Sequence, residues 1–276
     1  MHTVSGNGAH IPAIGLGTWT LDDNAAEAMV AAALKAGYRH IDTAAMYKNE
    51  VGVGAGLKAG GLGRSEVFVT TKVWPDQISS GALQASVERS LTNLALDDVD
   101  LILIHWPSKT TPLAESIEAL NDVRARGMAR NIGVSNFTIP MIEEAVRLSA
   151  APLACNQIEN HPLLNQDRVI AACRAHGIAV TSYCPLARGG GLFINPAITG
   201  PAERLKVSPA QVVLRWHVQQ DGVAAIPRTS NPARLHENID VFDISLTDAE
   251  MAAISRLREA AMRICDFDFS PEWDAA

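Results

Sequence analysis

Cysteine is scarce in this sequence. Among 276 residues there are four, Cys155, Cys173, Cys184 and Cys265, with no Cys-x-x-Cys pair and no Cys/His cluster at zinc spacing. A disulfide framework and a zinc module are thereby excluded, no metal site is expected, and the four read as reduced, mostly buried thiols. No apolar run is long enough to cross a bilayer; Val99–Trp106 is typical of their length. There is no block of basic residues. The formal net charge is −7, and an acidic chain without a basic stripe is a poor nucleic-acid binder, so the charge is read as a solubility feature. The N-terminus has no basic segment leading into an apolar run, so no signal peptide and a cytoplasmic location are expected. Repeats, linkers and low-complexity tracts are also missing. One glycine run, 189–191, is placed in a loop.

What is present is an apolar content of 47%, enough for one large core in a single domain spanning 1–276. Short β-branched runs alternate with alanine-rich stretches. Strands are predicted at Ile11–Gly17, His40–Thr43, Val67–Lys72, Val99–His105, Asn131–Ser135, Ala154–Glu159, Ala179–Cys184 and Gly222–Pro227. Helices are predicted at Asn24–Ala36, Ser80–Leu94, Leu113–Arg126, Ile139–Leu148, Asp167–His176 and Ser208–Gln219, from apolar residues at three- and four-residue steps. Asn24 with Glu27 fits an N-terminal capping pair, Ser208-Pro209 places proline at the first helical position, and Gly37, Gly127 and Gly177 fit C-terminal stops. Thr3–Ala13 reads as a hairpin about Gly6-Asn7-Gly8. Alternating strands and helices predict a parallel α/β sheet. Eight strands suit a closed (β/α)8 TIM barrel plugged by the hairpin; periodicity alone leaves a doubly wound open sheet as the rival.

In a barrel the reactive face lies at the strand C-termini, so polar residues there are the candidates. Asp42 ends the second strand, Tyr47 follows it, Lys72 ends the third and His105 the fourth. Ser135 and Asn136 end the fifth, Gln157 and Glu159 the sixth, Tyr183 the seventh and Arg228 the eighth. Each alone is an ordinary cap, packing or surface residue. Lys72 within Val67–Val73 is the odd one, since a lysine there must be paired or reach solvent. An ammonium beside a phenol lowers its pKa, a carboxylate keeps the lysine charged, and an imidazole can bond an oxygen on which charge builds. Together these groups can protonate an alkoxide as hydride reaches a carbonyl carbon. No side chain delivers hydride, so a nicotinamide or flavin is implied. The Gly52, Gly54, Gly56 string is not a dinucleotide loop, because it does not directly follow a strand and falls inside a helix.

The stretches Ile14–Trp19, Gly37–Ala44, Tyr47–Glu50, Thr71–Trp74, Asp100–Pro107, Gly133–Phe137, Asn156-Gln157, His161-Pro162 and Tyr183–Leu186 resemble the aldo-keto reductases over nearly the whole chain. Within that family the chain is similar to the bacterial 2,5-diketo-gluconic acid reductase-like and broad-specificity aldehyde reductases. The resemblance implies a catalytic tetrad of Asp42, Tyr47, Lys72 and His105 with Tyr47 as general acid. It implies that Ser135, Asn136 and Gln157 hold a nicotinamide amide, that Tyr183 stacks on the ring, and that Pro185 and Leu186 also line the cofactor. A C-terminal cofactor-binding segment is implied by Ile226–Ser230 followed by Arg234, Glu237 and Asn238. Here Arg228 and Thr229 replace the usual lysine and serine and, with Ser230, face the adenosine phosphate; an arginine fork still suits a 2′-phosphate. NADPH is the expected cofactor, with NADH a weaker alternative. Trp19, Trp74 and Trp106 are implied pocket walls. The connection from Ala187 to Val207 and the tail after Leu257 are short for the family, which leaves small aldehydes, dicarbonyls or keto sugars as substrates. A monomer is the expected state. Two other classes remain: a slow NADPH-holding barrel of the kind that accompanies ion channels, and a lyase or isomerase using Lys72 as a Schiff-base amine.

Overall fold

The computed structural model describes residues 2–274. Strands β1 (Thr3–Gly6) and β2 (Ala9–Pro12) form an antiparallel hairpin, as expected. The remaining strands run parallel in chain order: β3 (Leu16–Gly17), β4 (His40–Asp42), β5 (Phe68–Val73), β6 (Val99–Ile104), β7 (Ala129–Ser135), β8 (Leu153–Glu159), β9 (Ala179–Tyr183) and β10 (Val223–Ala225). Parallel bridges from Ile14 to Ala225 and from Gly17 to Arg228 join the first strand to the last. The sheet is thus a closed (β/α)8 barrel, and the open-sheet alternative is set aside.

The outer layer is α1 (Asp23–Lys35), α2 (Glu50–Gly60), α3 (Ala82–Leu94), α4 (Leu113–Ala125), α5 (Ile139–Leu148), α6 (Asp167–Ala175), α7 (Pro196–Leu205), α8 (Pro209–Val218), α9 (Ala233–Ile239) and α10 (Asp248–Arg256). Ser208 and Gln211 form a reciprocal capping box with Pro209 at the first turn. Gly37, Gly127 and Gly177 all take positive φ just past helix ends.

Three expectations need correction. The predicted strand Ile11–Gly17 is split, because the backbone groups of Ala9–Pro12 pair with β1 and only Leu16–Gly17 remains to pair with β4. Helix α1 is capped by Asp22, whose side chain accepts from Ala25 N at 2.8 Å; Asn24 is already helical and cannot serve as the cap. The glycine run does not lie wholly in a loop, since Gly190 and Gly191 open a 3-10 turn through Ile194.

Strand parity decides what enters the barrel. On β6, Leu101 and Leu103 point inward to pack with Ile11 of the hairpin, Cys155 and Ala179. Ile102 and Ile104 point outward into the layer beneath the helices. Both faces are buried, which is why the strand reads as one apolar run. Each such fully buried side chain contributes about 1.5–3 kcal/mol. The glycines of α2 serve helix packing: a Cβ at Gly52 would lie 2.1 Å from Asp23 O, and one at Gly54 would lie 2.4 Å from Leu94 O.

Candidate functional site

The inward parity that buries Leu101 and Leu103 also brings His40 and Asp42 on β4, and Thr70 and Lys72 on β5, into the barrel. His40 Nε2 lies 3.1 Å from Thr70 Oγ1. One step nearer the strand ends, Lys72 Nζ donates to Asp42 Oδ1 at 2.5 Å, to Thr43 O at 2.8 Å and to Tyr47 Oη at 3.4 Å. Gln157 Nε2 donates to the other Asp42 oxygen at 2.7 Å. The carboxylate is therefore held on both oxygens, and the ammonium has no exposed surface. His105 closes the group, with its ring centroid 5.6 Å from that of Tyr47. The structure brings all four tetrad candidates together.

Environment sets their protonation. Burial drives the Lys72 pKa down, but Asp42 and Tyr47 outweigh it, and the ammonium ends above its ordinary value. Burial raises the Tyr47 pKa, Lys72 opposes the rise, and the phenol ends above its ordinary value of 10. The expected net lowering by the lysine is thus corrected: its pull is present, and desolvation exceeds it. Burial, then Lys72, push His105 well below 6.5, so the imidazole is neutral. Its Nδ1 is sealed in protein without a partner among the described residues. A proton there would be buried and unsatisfied, so the single N–H belongs on Nε2.

Beside the tetrad, Ser135 Oγ donates to Gln157 O at 2.8 Å, and Asn136 Nδ2 donates to His105 O at 3.0 Å and to Ser135 Oγ at 3.1 Å. Tyr183 Oη donates to Asn136 Oδ1 at 2.7 Å. Asn136 holds φ at 63° and Cys184 at 48°, so the chain leaves β7 and β9, which flank β8, in the left-handed region. Pro185 O accepts from His217 Nε2 at 3.0 Å, and Leu186 packs half-buried against the core.

Arg228 is exposed. Its Nε donates to Trp19 O at 3.1 Å, and its two terminal nitrogens take no protein partner among the described residues. Ser230 and Arg234 are exposed, Glu237 is half-buried and Asn238 is buried. Thr229 differs: its buried hydroxyl is occupied by the turn into α9, accepting from Asn231 N at 3.0 Å and donating to Asn231 O at 3.2 Å. Trp19, 47% exposed, has its ring centroid 4.9 Å from that of Tyr47. Trp74 stands edge-on to His105 at 5.1 Å.

Several residues escaped sequence reasoning. Asn49 is buried, donates to Thr18 O and Leu21 O at 2.8 and 2.9 Å, and accepts from Thr43 Oγ1 at 3.1 Å. It pins the turn that carries Tyr47, and its place two residues after the phenol was the available signal. Phe267 and Phe269, in the tail after α10, stack on each other at 5.1 Å. Phe269 meets Trp74 at 5.4 Å and Trp106 at 5.3 Å, and Trp273 meets Trp106 at 6.0 Å. Trp106 is thus covered by the tail. Aromatics spaced along a segment with no helical pattern were the legible hint. A groove of about 660 Å³ lined by Met46, Gln77 and Arg89 runs outside this cluster and shares Trp74 with it.

Residues 13–259 match the pattern described as the Aldo/keto reductase family. The chain is 43% identical over 253 residues to the methylglyoxal reductase DkgA of Yersinia pestis, covering 91% of this chain and 90% of that protein. It is 41% identical over 256 residues to a 9,11-endoperoxide prostaglandin H2 reductase of Trypanosoma cruzi, covering 92% and 90%. A solved structure assigned to a 2,5-diketo-D-gluconic acid reductase B superposes with a TM-score of 0.96 at 46% identity, covering 100% of this chain and 98% of that one. The Bombyx mori aldo-keto reductase in complex with NADP superposes with a TM-score of 0.89 at 34% identity, covering 96% and 94%.

Proposed function

The chain belongs to the aldo/keto reductase family, and from that premise we propose that it reduces a small aldehyde, dicarbonyl or keto sugar with NADPH, Tyr47 delivering the proton. The observation that carries the reading is a charged lysine, wholly buried, bonded to both Asp42 and the Tyr47 hydroxyl. As an alkoxide forms, Tyr47 gives its proton to the substrate oxygen and Lys72 stabilises the phenolate left behind. Asp42 holds Lys72 charged and in line. His105, neutral and with Nε2 open to the site, donates to the same oxygen and orients it. Trp19, Trp74 and the tail aromatics exclude water from the reacting carbonyl. The dicarbonyl class is supported by the relative named a methylglyoxal reductase.

The residues present fit a nicotinamide dinucleotide. Ser135, Asn136 and Gln157 set hydroxyl and amide groups side by side at the barrel mouth, which matches a carboxamide, and Tyr183 supplies a ring beside them. Arg228 leaves two guanidinium nitrogens without a partner among the described residues, and Arg234 stands exposed nearby in sequence, which suits a 2′-phosphate and favours NADPH over NADH. When bound, the nicotinamide supplies the hydride. A Schiff-base role for Lys72 is disfavoured, because a lysine held charged against Asp42 is not a nucleophile. The whole chain, 1–276, is proposed to work as one barrel domain, monomeric and cytoplasmic. Among the described residues no helix is long and apolar enough to cross a membrane.

Tyr47→Phe tests the reading. It removes one hydroxyl and should abolish carbonyl turnover while NADPH still binds in a fluorescence titration. Near-normal turnover in that variant overturns the assignment.

A further inference from the structure

Register places two cysteines at one corner of the barrel mouth. Glu159, at the end of β8, pairs with Tyr183 at the end of β9, and Cys184 is the next residue. The buried Glu159 carboxylate reaches across to the C-terminal tail, accepting from Ile264 N at 2.6 Å and Cys265 N at 2.7 Å, and it is braced by His161 Nε2 at 3.0 Å. This clasp brings Cys265 to the end of β9 beside Cys184, close enough for each thiol to shift the ionisation of the other. Both residues are partly accessible, whereas Cys155 and Cys173 are buried. We propose that Cys184 and Cys265 are a peroxide-oxidisable pair whose disulfide fastens the C-terminal tail to the end of β9.

The chemistry runs in one direction around the pair. Cys265, with Arg188 and against burial and Glu159, holds the Cys184 thiol below its ordinary range. Cys184 and burial push Cys265 up. Cys184 is therefore the attacking thiolate and Cys265 the resolving thiol. The Cys184 sulfur attacks one peroxide oxygen, the O–O bond breaks, and the departing hydroxide takes a proton to become water. This leaves a sulfenic acid on Cys184. The Cys265 sulfur then attacks Cys184, its proton leaves with the sulfenic oxygen as a second water, and the S–S bond forms. Two thiols surrender two electrons and two protons, and one hydroperoxide becomes two waters. The left-handed turn at Cys184 lies in the short loop after β9, and the tail beyond Cys265 carries Phe267 and Phe269, which cover Trp74 and Trp106. A covalent tie here restrains the segment that walls the site. The pairing goes beyond the reductase reading and does not depend on it.

The test uses the full chain without substrate. Brief treatment with hydrogen peroxide should remove two hydrogens from the intact mass and link the tryptic fragments 175–188 and 264–276 under non-reducing conditions. Hydrogen exchange across 264–274 should slow, and dithiothreitol should reverse both changes. Cys265→Ser should stop at a Cys184 sulfenic acid that dimedone traps. The proposal is overturned if the native chain accumulates Cys184 sulfenic or sulfinic acid without the cross-link. It is equally overturned if the cross-link forms and exchange in the tail is unchanged. Because no readout is turnover, failure here is distinct from failure of the reductase reading.

Discussion

Lys72 has no exposed surface and three oxygen partners, while Arg228 stands in solvent with, among the described residues, a single bond through Nε. Both are cations of the proposed site, yet their surroundings suit different work. In the interior of the barrel mouth the charges are paired and desolvated before any ligand arrives, so their field is fixed and little screened. At the outer segment the charge is left unpaired, and a ligand must supply the partner. Preorganisation suits an event in which charge moves during reaction; an open cation suits selection of an anionic ligand from water.

The largest effect is expected where the dry pair is broken. Lys72→Met removes the cation proposed to stabilise the phenolate and leaves Asp42 buried with only Gln157. Turnover should fall by about 10²–10⁴-fold, and stability should fall by about 3–5 kcal/mol, the usual cost of orphaning one member of a buried pair. Adding Asp42→Asn should restore much of the stability and none of the turnover. Steady-state rates and denaturant midpoints for the three proteins check this. Unchanged activity and pH profile in Lys72→Met would make the lysine structural.

Acid should expose the dry region next. His217 is fully buried against Pro185 O, and burial lowers its pKa to about 3. The folded value lies below the unfolded one near 6.5, so the unfolded chain binds the extra proton first as pH falls. Its contribution is complete above pH 6.5 and is lost progressively down to about pH 3, a span worth about 5 kcal/mol at 1.36 kcal/mol per unit. His105, also lowered, adds in the same direction. Urea midpoints from pH 7 to pH 4 should fall steeply, and His217→Gln should flatten the slope. Equal slopes would mean that His217 is not neutral in the folded chain.

The smallest effect belongs to the open charge. Arg228→Gly should weaken NADPH by about tenfold, the value of one charge-assisted contact, and leave NADH nearly unchanged. Raising salt should erode NADPH affinity in the native protein more than in the variant, because the contact is exposed. Dissociation constants for both cofactors at two salt concentrations decide it. Equal native affinities would remove the preference for NADPH and leave the contrast with Lys72 intact.

How far the sequence could be read depends on how local each feature is. The tetrad was legible because strand parity is local: Lys72 is conspicuous in an apolar strand, and Asp42 and His105 each close one. The strand candidates lie within a few residues of the observed ones, since β-branched runs bounded by turn residues leave little choice. Helix α7 was not legible, because Gly200 and Pro201 sit inside it and its stability comes from packing Ile198 and Ala202 against Val212, Val213 and Trp216. The split of the first strand was hidden for a related reason. Whether Ala9–Pro12 pairs with β1 or with the barrel depends on which partner is brought within reach.

By itself the sequence determined the alternation of strand and helix, the side of each strand that faces inward, and the polar groups standing at strand ends, because each is set by neighbours a few residues away. Only the tertiary structure decided that Ile14 and Gly17 would meet Ala225 and Arg228 to close the barrel. It also decided that Gln157 would bind an aspartate 115 residues earlier, and that Glu159 would grip backbone N–H groups of Ile264 and Cys265. Contacts across such separations are bought with loop-closure entropy that only the assembled core can offset, so no window of sequence contains them.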